Sequence, residues 1–423
     1  MYPQSSLGRG RRGGRPLFSS KNHQAPKTKT IDPNRFINKA VAQVEEAPFE
    51  PQHKFADFGF DKRLQFNIET HGYVLPTPIQ DGSIPPVMQG RDLIGLANTG
   101  TGKTAAFLLP VISRMLKGEA HRCLILIPTR ELAVQIEEEF KMFARGLNLY
   151  ATLVVGGASV NKQLASLQRR PQFIIATPGR LKDLLQNYGL TIKDFDVLVL
   201  DEADRMLDMG FIRDIRAILE QVREDRQTLF LSATITPDIE QLITTILKDP
   251  VTVSVRKGET SDHVEQDVIK IEGGKEAKEA KLVELLSDPE FKKVLIFGET
   301  KWGVQKLADR LAKRGLAVAA IHGNKSQPQR QRALNDFKNE RVQALIATDV
   351  AARGLDIPNV SHVINYDAPK QYEDYVHRIG RTGRAGAMGK ALTFVMVGPE
   401  AYLPTSAPGG RGGGFGRGPR RGR

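Results

Sequence analysis

The chain is poor in the residues that would place it in several common classes. Among 423 residues there is one cysteine, Cys123, and one tryptophan. A single cysteine excludes an internal disulfide framework, and its setting in RCLILIP reads as a small buried hydrophobe in a reducing compartment. No apolar run approaches the ~18–20 residues of a membrane span, so no membrane partner is expected. The first residues are basic but lack an apolar core, so secretion is not expected either. Acids are missing from both ends. Residues 1–30 carry seven Lys or Arg and no Asp or Glu, and residues 401–423 carry five and none. Twelve of the thirteen net positive charges therefore belong to the ends. Such a balance points to a polyanionic partner, with any groove in the folded part built locally.

What is present is enough for two cores. Residues 1–54 read as a disordered basic arm, rich in Gly, Arg, Pro, Ser and Gln. From Phe55, short apolar runs alternate with amphipathic stretches: RDLIGLA, CLILIP, TLVVGG, FIIATP, VLVLDEA, TLFLSAT and VTVSV. A polar linker follows at 256–264. The alternation resumes with KVLIFGE, AVAAIHG, QALIATD, HVINYD and ALTFVMV. Continuous apolar strands between helices predict parallel sheets covered on both faces. The expected division is 55–255 for the first domain, 265–400 for the second, and 401–423 for an Arg/Gly-rich disordered tail.

Several strands end on polar signatures, where open α/β sheets present ligands. LIGLANTGTGKT reads as strand, glycine turn and helix start. Its Thr99, Gly100, Thr101 and Gly102 are suited to wrap backbone N–H groups around phosphate oxygens. Lys103 can reach the β- and γ-phosphates and Thr104 can ligate Mg²⁺. The strict pattern has Gly where this chain has Ala97, a small residue the turn can accept. VLVLDEAD brings Asp201, Glu202 and Asp204 to a strand end. Asp201 is the candidate metal partner and Glu202 the candidate general base for an attacking water. Taken alone, these acids could equally cap the next helix. The phosphate loop in the same domain favours the catalytic reading, with ATP and Mg²⁺ as the ligands.

The ordered set of motifs from about 55 to 397 resembles the DEAD-box RNA helicases of superfamily 2, of bacterial type. The resemblance implies two tandem RecA-like domains that close on ATP and RNA. It implies that Gln80 in GYVLPTPIQ reads adenine while Phe55 stacks on it, and that Asp356 accepts from the ribose. It implies RNA-backbone contacts from Thr129, Arg130, Gly156, Gly157, Thr177 and Arg180 in the first domain, and from Gln327, Arg330 and Thr348 in the second. It implies that Ser232 and Thr234 of SAT link to Asp204, with His377 tying the second domain to the same acid. Arg381 and Arg384 of HRIGRTGR are the expected arginine fingers.

The activity so implied is RNA-dependent ATP hydrolysis that unwinds short duplexes or remodels ribonucleoprotein. The expected partners are single-stranded or partly duplex RNA, read with little sequence preference, and ribonucleoprotein or ribosomal components. The chain is expected to act as a monomer in the cytoplasm. An ATP-controlled RNA clamp and a DNA helicase remain open alternatives at this point. One departure from the family pattern stands out. Gly398-Pro399-Glu400 leads quickly to Pro404 and Pro408, so the final helix of the second domain is expected to be shortened or absent.

Overall fold

The computed structural model describes residues 49–98, 100–255, 264–352, 357, 359–383 and 388–397. The basic arm, the linker up to residue 263 and everything after 397, including the expected helix shortening, lie outside the described residues.

Among the described residues, thirteen strands form two sheets. The first sheet uses β1 (Leu93–Ala97), β2 (Cys123–Leu126), β3 (Ala151–Val154), β4 (Phe173–Ala176), β5 (Val197–Leu200), β6 (Gln227–Ser232) and β7 (Val251–Val255). Their order is β3-β4-β2-β5-β6-β1-β7. The second sheet uses β8 (Val264–Ile271), β9 (Val294–Phe297), β10 (Val318–Ile321), β11 (Ala344–Ala347), β12 (His362–Asn365) and β13 (Gly389–Met396). Their order is β10-β11-β9-β12-β13-β8. Every pairing is parallel. The second order repeats the first with β8 in the place of β1, and lacks only a counterpart of β7.

The apolar runs are continuous because each strand feeds two cores. In β5, Val197 and Val199 enter one cluster while Leu198 and Leu200 enter the other. In β9, Leu295 and Phe297 face one side while Val294 and Ile296 face the opposite one. Each fully buried side chain of this kind contributes roughly 1.5–3 kcal/mol. Cys123 sits in β2 with no exposed surface, and burial pushes its thiol well above the ordinary range, as suits an inert core residue.

Strand β8 is the element the apolar-run pattern does not reveal. It is an edge strand, paired only to β13. Its Val264 and Gln266 point inward while Glu265 and Asp267 stay in water. The buried Gln266 is held by the Tyr375 hydroxyl, which donates to its Oε1 at 2.9 Å. A half-solvated edge needs alternation, not a continuous hydrophobic run.

Strand order also sorts the polar strand ends. The carboxyl ends of β5, β6 and β1 are neighbours and carry 201–204, 232–234 and 98–104. The ends of β3, β4 and β2 carry 156–157, 177–180 and 128–132. Among the described residues, no helix is long and apolar enough to cross a membrane.

Candidate nucleotide and nucleic-acid site

After β1 the chain turns through Gly100 and Gly102, at φ +87° and +90°, into the helix Lys103–Leu116. Gly102 is the N-cap and has no side chain to satisfy the first turn. The open N–H groups and the positive end of the helix dipole suit an anion. A Cβ on Gly102 would collide with the Gln80 amide, so only glycine fits here. Lys103 is 7% exposed and donates to the carbonyl oxygen of Ala97 at 2.6 Å. Thr104 follows in the same first turn, half-buried.

Gln80 belongs to the capping box that starts the helix Pro78–Met88. Its Oε1 accepts from the Thr77 amide at 2.9 Å and its Nε2 donates to Gly102 O at 3.1 Å. The Thr77 hydroxyl donates to Thr101 O at 2.8 Å. Gln80 therefore braces the phosphate loop from behind, a role the motif alone does not announce. Phe55 is 2% exposed, edge-on to Phe58 and Tyr73, with ring centroids 6.1 and 5.8 Å away. The short turn Phe55–Phe58 folds this ring into the core, where aromatic edge contacts and burial hold it.

The acids after β5 are all buried. Burial pushes the Asp201 carboxyl up to about 6, against the opposing pull of Lys103. Its Oδ1 accepts from the Glu202 amide at 2.9 Å. Glu202 is in the left-handed region at φ +52°, and its Oε2 receives the Arg205 guanidinium at 2.9 Å. Only 3% and 4% of these two side chains is exposed. Arg205, unmarked in the sequence reading, thus orients the candidate base. A basic residue three positions on, in the first turn of a helix, was the available signal.

Asp204 is the junction. Its Oδ2 accepts from Ala233 N at 3.0 Å, Thr234 N at 3.1 Å and the Thr234 hydroxyl at 3.2 Å. Burial raises its pKa, but the charges of Arg205, Lys103 and His377 more than offset this and hold it below the usual range. Ser232 does not reach Asp204. Its hydroxyl donates instead to Thr234 O at 2.7 Å and shapes the turn after β6. His377 lies on the second-domain helix Tyr372–Ile379, so Asp204 feels both domains.

In the second domain Arg381 is 4% exposed and its Nε donates to His377 O at 3.2 Å. The helix that carries His377 is anchored by Arg378, which the motif reading passed over. Arg378 makes a two-pronged pair with Asp349 at 2.6 and 2.7 Å and bonds Asn365 Oδ1 at 3.1 Å. Thr99, Asp356 and Arg384 lie outside the described residues.

The other half of the first sheet faces a cleft of about 420 Å³ shared by both domains. Thr129, Arg130, Gly156, Thr177, Arg180 and Arg330 line it. Thr129 caps the helix Arg130–Phe143 by accepting from Leu132 N at 3.3 Å. The Arg130 guanidinium lies over Gly156 and Gly157, where any Cβ would crowd it. Burial, and then Arg330 and Arg180, lower the Arg130 pKa, while Glu131 opposes them. Arg180 donates to Ala158 O at 3.1 Å. Arg330 crosses from the second domain and pairs with the buried Glu131 at 2.8 Å. Gln327, one helical turn earlier, has a buried carbonyl oxygen with no hydrogen-bond partner in the structure. Thr348 follows β11, half-buried, two residues before Val350 on the cleft wall. Three guanidinium groups lining one cleft suit a polyanionic backbone.

Fold and site together define a two-domain P-loop nucleotide-binding protein whose second domain reaches both the buried acids after β5 and a basic cleft. Comparison with known proteins narrows this. Residues 77–242 match the family model "DEAD/DEAH box helicase" and 277–386 match "Helicase conserved C-terminal domain". The ATP-dependent RNA helicase CshA of Limosilactobacillus reuteri is 42% identical over 352 residues, covering 83% of this chain and 70% of the relative. The ATP-dependent RNA helicase vasa of Drosophila melanogaster is 45% identical over 337 residues, covering 78% and 50%. Among solved structures, Mss116p bound to ssRNA and AMP-PNP superposes with a TM-score of 0.74 at 29% identity, covering 82% of this chain and 76% of that one. The S. cerevisiae Dbp5 structure bound to RNA and ADP BeF3 gives 0.72 at 31% identity, covering 81% and 90%. The chain belongs to the DEAD-box family of ATP-dependent RNA helicases.

Proposed function

We propose that this helicase is an RNA-dependent ATPase gated by closure of its two domains on single-stranded RNA. The observation that carries the reading is Asp204. One buried acid bonds the turn after β6 and lies within the field of His377 from the other domain. A change at the phosphates is thus one residue away from the interdomain contact. RNA across the cleft and ATP between the domains favour the same closed state, so each strengthens the other's binding.

ATP sits with its phosphates on the turn from Gly100 to Gly102, and Lys103 leaves Ala97 O to meet them. Mg²⁺ fits the donors present. Asp201 is a buried carboxylate whose ionised form needs a nearby cation, and Thr104 directly follows Lys103, whose charge already acts on Asp201. Held there, Mg²⁺ would offset phosphate charge. Glu202, ion-paired to Arg205, is positioned to accept the proton of an attacking water. Arg381 and Arg384 supply positive charge from the second domain. Thr129, Arg130, Gly156, Gly157, Thr177, Arg180, Gln327, Arg330 and Thr348 hold the RNA backbone, with little preference for sequence. Duplex unwinding follows from gripping one strand in a geometry the duplex cannot keep. The working unit is a cytoplasmic monomer acting on RNA and ribonucleoprotein, with functional parts at 55–255 and 265–400. Glu202→Gln tests the hydrolytic role: nucleotide and RNA still bind while turnover falls. Turnover equal to that of the parent protein would remove Glu202 from the base role.

A further inference from the structure

The chain's single tryptophan is 65% exposed. Trp302 is the second residue of the helix Lys301–Lys313, directly after the carboxyl end of β9. Scattered surface apolars need no explanation in general. A bare indole at the ligand-facing end of a sheet, among cations, is a different matter.

Its helix and the turn before it are tied to the loops that carry residues of the basic cleft. Gly298 N donates to Ala347 O at 2.9 Å, so the turn before this helix is tied to the residue preceding Thr348. Gln305, three residues after Trp302 and therefore on the same side of the helix, contacts His322 Nε2 through its Oε1 at 2.9 Å. His322 opens the loop that leads to Gln327 and Arg330, and Lys325 N donates to His322 O at 3.1 Å. Lys325, Arg330 and Lys301 all act on His322 as positive charges. The neighbouring acid, Glu299, is already paired with Lys370 at 2.7 Å. Lys301 adjoins Trp302 in the chain, and cations on the same sheet end as an exposed aromatic form the combination that binds single strands: cations follow the phosphates while the ring takes a base face. Indole offers a large flat surface at small entropic cost.

We propose that Trp302 is a base-stacking platform that extends the RNA path from the cleft over the second domain. This rests on the RNA-backbone reading of the cleft and adds a contact to a base. The backbone grip is blind to whether a nucleotide carries a base. Trp302 makes the protein sensitive to it, and more so to purines, whose stacking surface is larger.

The lone indole is its own reporter. Intrinsic fluorescence is followed while a single-stranded oligoadenylate, end-labelled for anisotropy, is added with a non-hydrolysable ATP analogue. The titration is repeated with an abasic ribose–phosphate oligomer of equal length. The expected result is quenching that tracks anisotropy for oligoadenylate and is absent when the abasic strand binds. Trp302→Ala should weaken oligoadenylate binding about 5- to 100-fold and leave abasic affinity unchanged, and Trp302→Phe should recover most of the loss. Binding seen by anisotropy with unchanged fluorescence overturns the platform while the cleft reading stands. Equal quenching by both strands, or equal losses for both in Trp302→Ala, also overturns it. No anisotropy change with either strand defeats the cleft reading and the platform together.

Discussion

Strand β1 and strand β8 hold the same place in their sheets, and each leads through a left-handed glycine into a 14-residue helix. Gly102 and Gly273 have φ of +90° and +94°, and neither helix has a side-chain cap. The difference is the turn. Five residues, 98–102, separate β1 from its helix, whereas two, 272–273, separate β8 from its own. The short turn has no room to wrap a phosphate. The acids diverge in the same way. After β12, Asp367 is bound by Lys278 at 2.7 Å, closing the second site on itself. After β5, Asp201 stays buried with a raised pKa while Lys103 rests on a backbone carbonyl. One architecture thus gives a nucleotide site in one copy and a structural ion pair in the other. Chemistry lies in turn length and in which charges are already paired, not in the fold.

The sharpest way to break this asymmetry is in the first sheet. Glu202→Gln should lower hydrolysis about 10²–10⁴-fold with nucleotide binding retained, measured by single-turnover kinetics. Lys103→Ala should cost about 10²–10³-fold or more, read in the same assay. Its counterpart Lys278→Met should leave turnover per folded molecule unchanged and cost about 1–3 kcal/mol in denaturant unfolding, because Asp367 keeps the Glu299 amide but loses its cation. Loss of turnover in folded Lys278→Met would show that the second pair is catalytic after all.

Asp201 gives a pH-dependent contrast. Its carboxyl is raised from 3.8 to about 6, so the folded state holds the proton more tightly than the unfolded chain. The ionised form therefore costs stability above pH ~6, and the cost disappears below the unfolded value. Asp201→Asn should raise nucleotide-free stability by about 1–3 kcal/mol at pH 7–8 and by little at pH 4, while abolishing hydrolysis. The smallest expected effect is in the second sheet. Thr300, whose hydroxyl accepts from Gly303 N at 3.0 Å, caps the helix after β9. Thr300→Ala should cost about 1 kcal/mol by the same denaturant measurement.

The central strands and their polar ends were legible because burial on both faces leaves long apolar runs, as in VLVL and VLIF. Strand β8 was hidden because its outer face is wet. The acids after β5 and the glycine turn were legible as motifs. The burial of Phe55 was not legible, because a motif says which residue recurs, not which way its ring turns. Arg205, Arg378 and the bracing role of Gln80 were invisible for a related reason. Each acts through a partner fixed only by folding: Glu202, Asp349 and the carbonyl of Gly102. Trp302 carried no signal in sequence, since a lone aromatic after a strand more often packs inward.

The most direct test of a site divided between two domains is ATP hydrolysis by the purified chain, with and without single-stranded RNA. The account predicts slow hydrolysis alone and strong stimulation by RNA, because RNA across the cleft brings the second-domain arginines to the phosphates. Equal rates in the two conditions would contradict it.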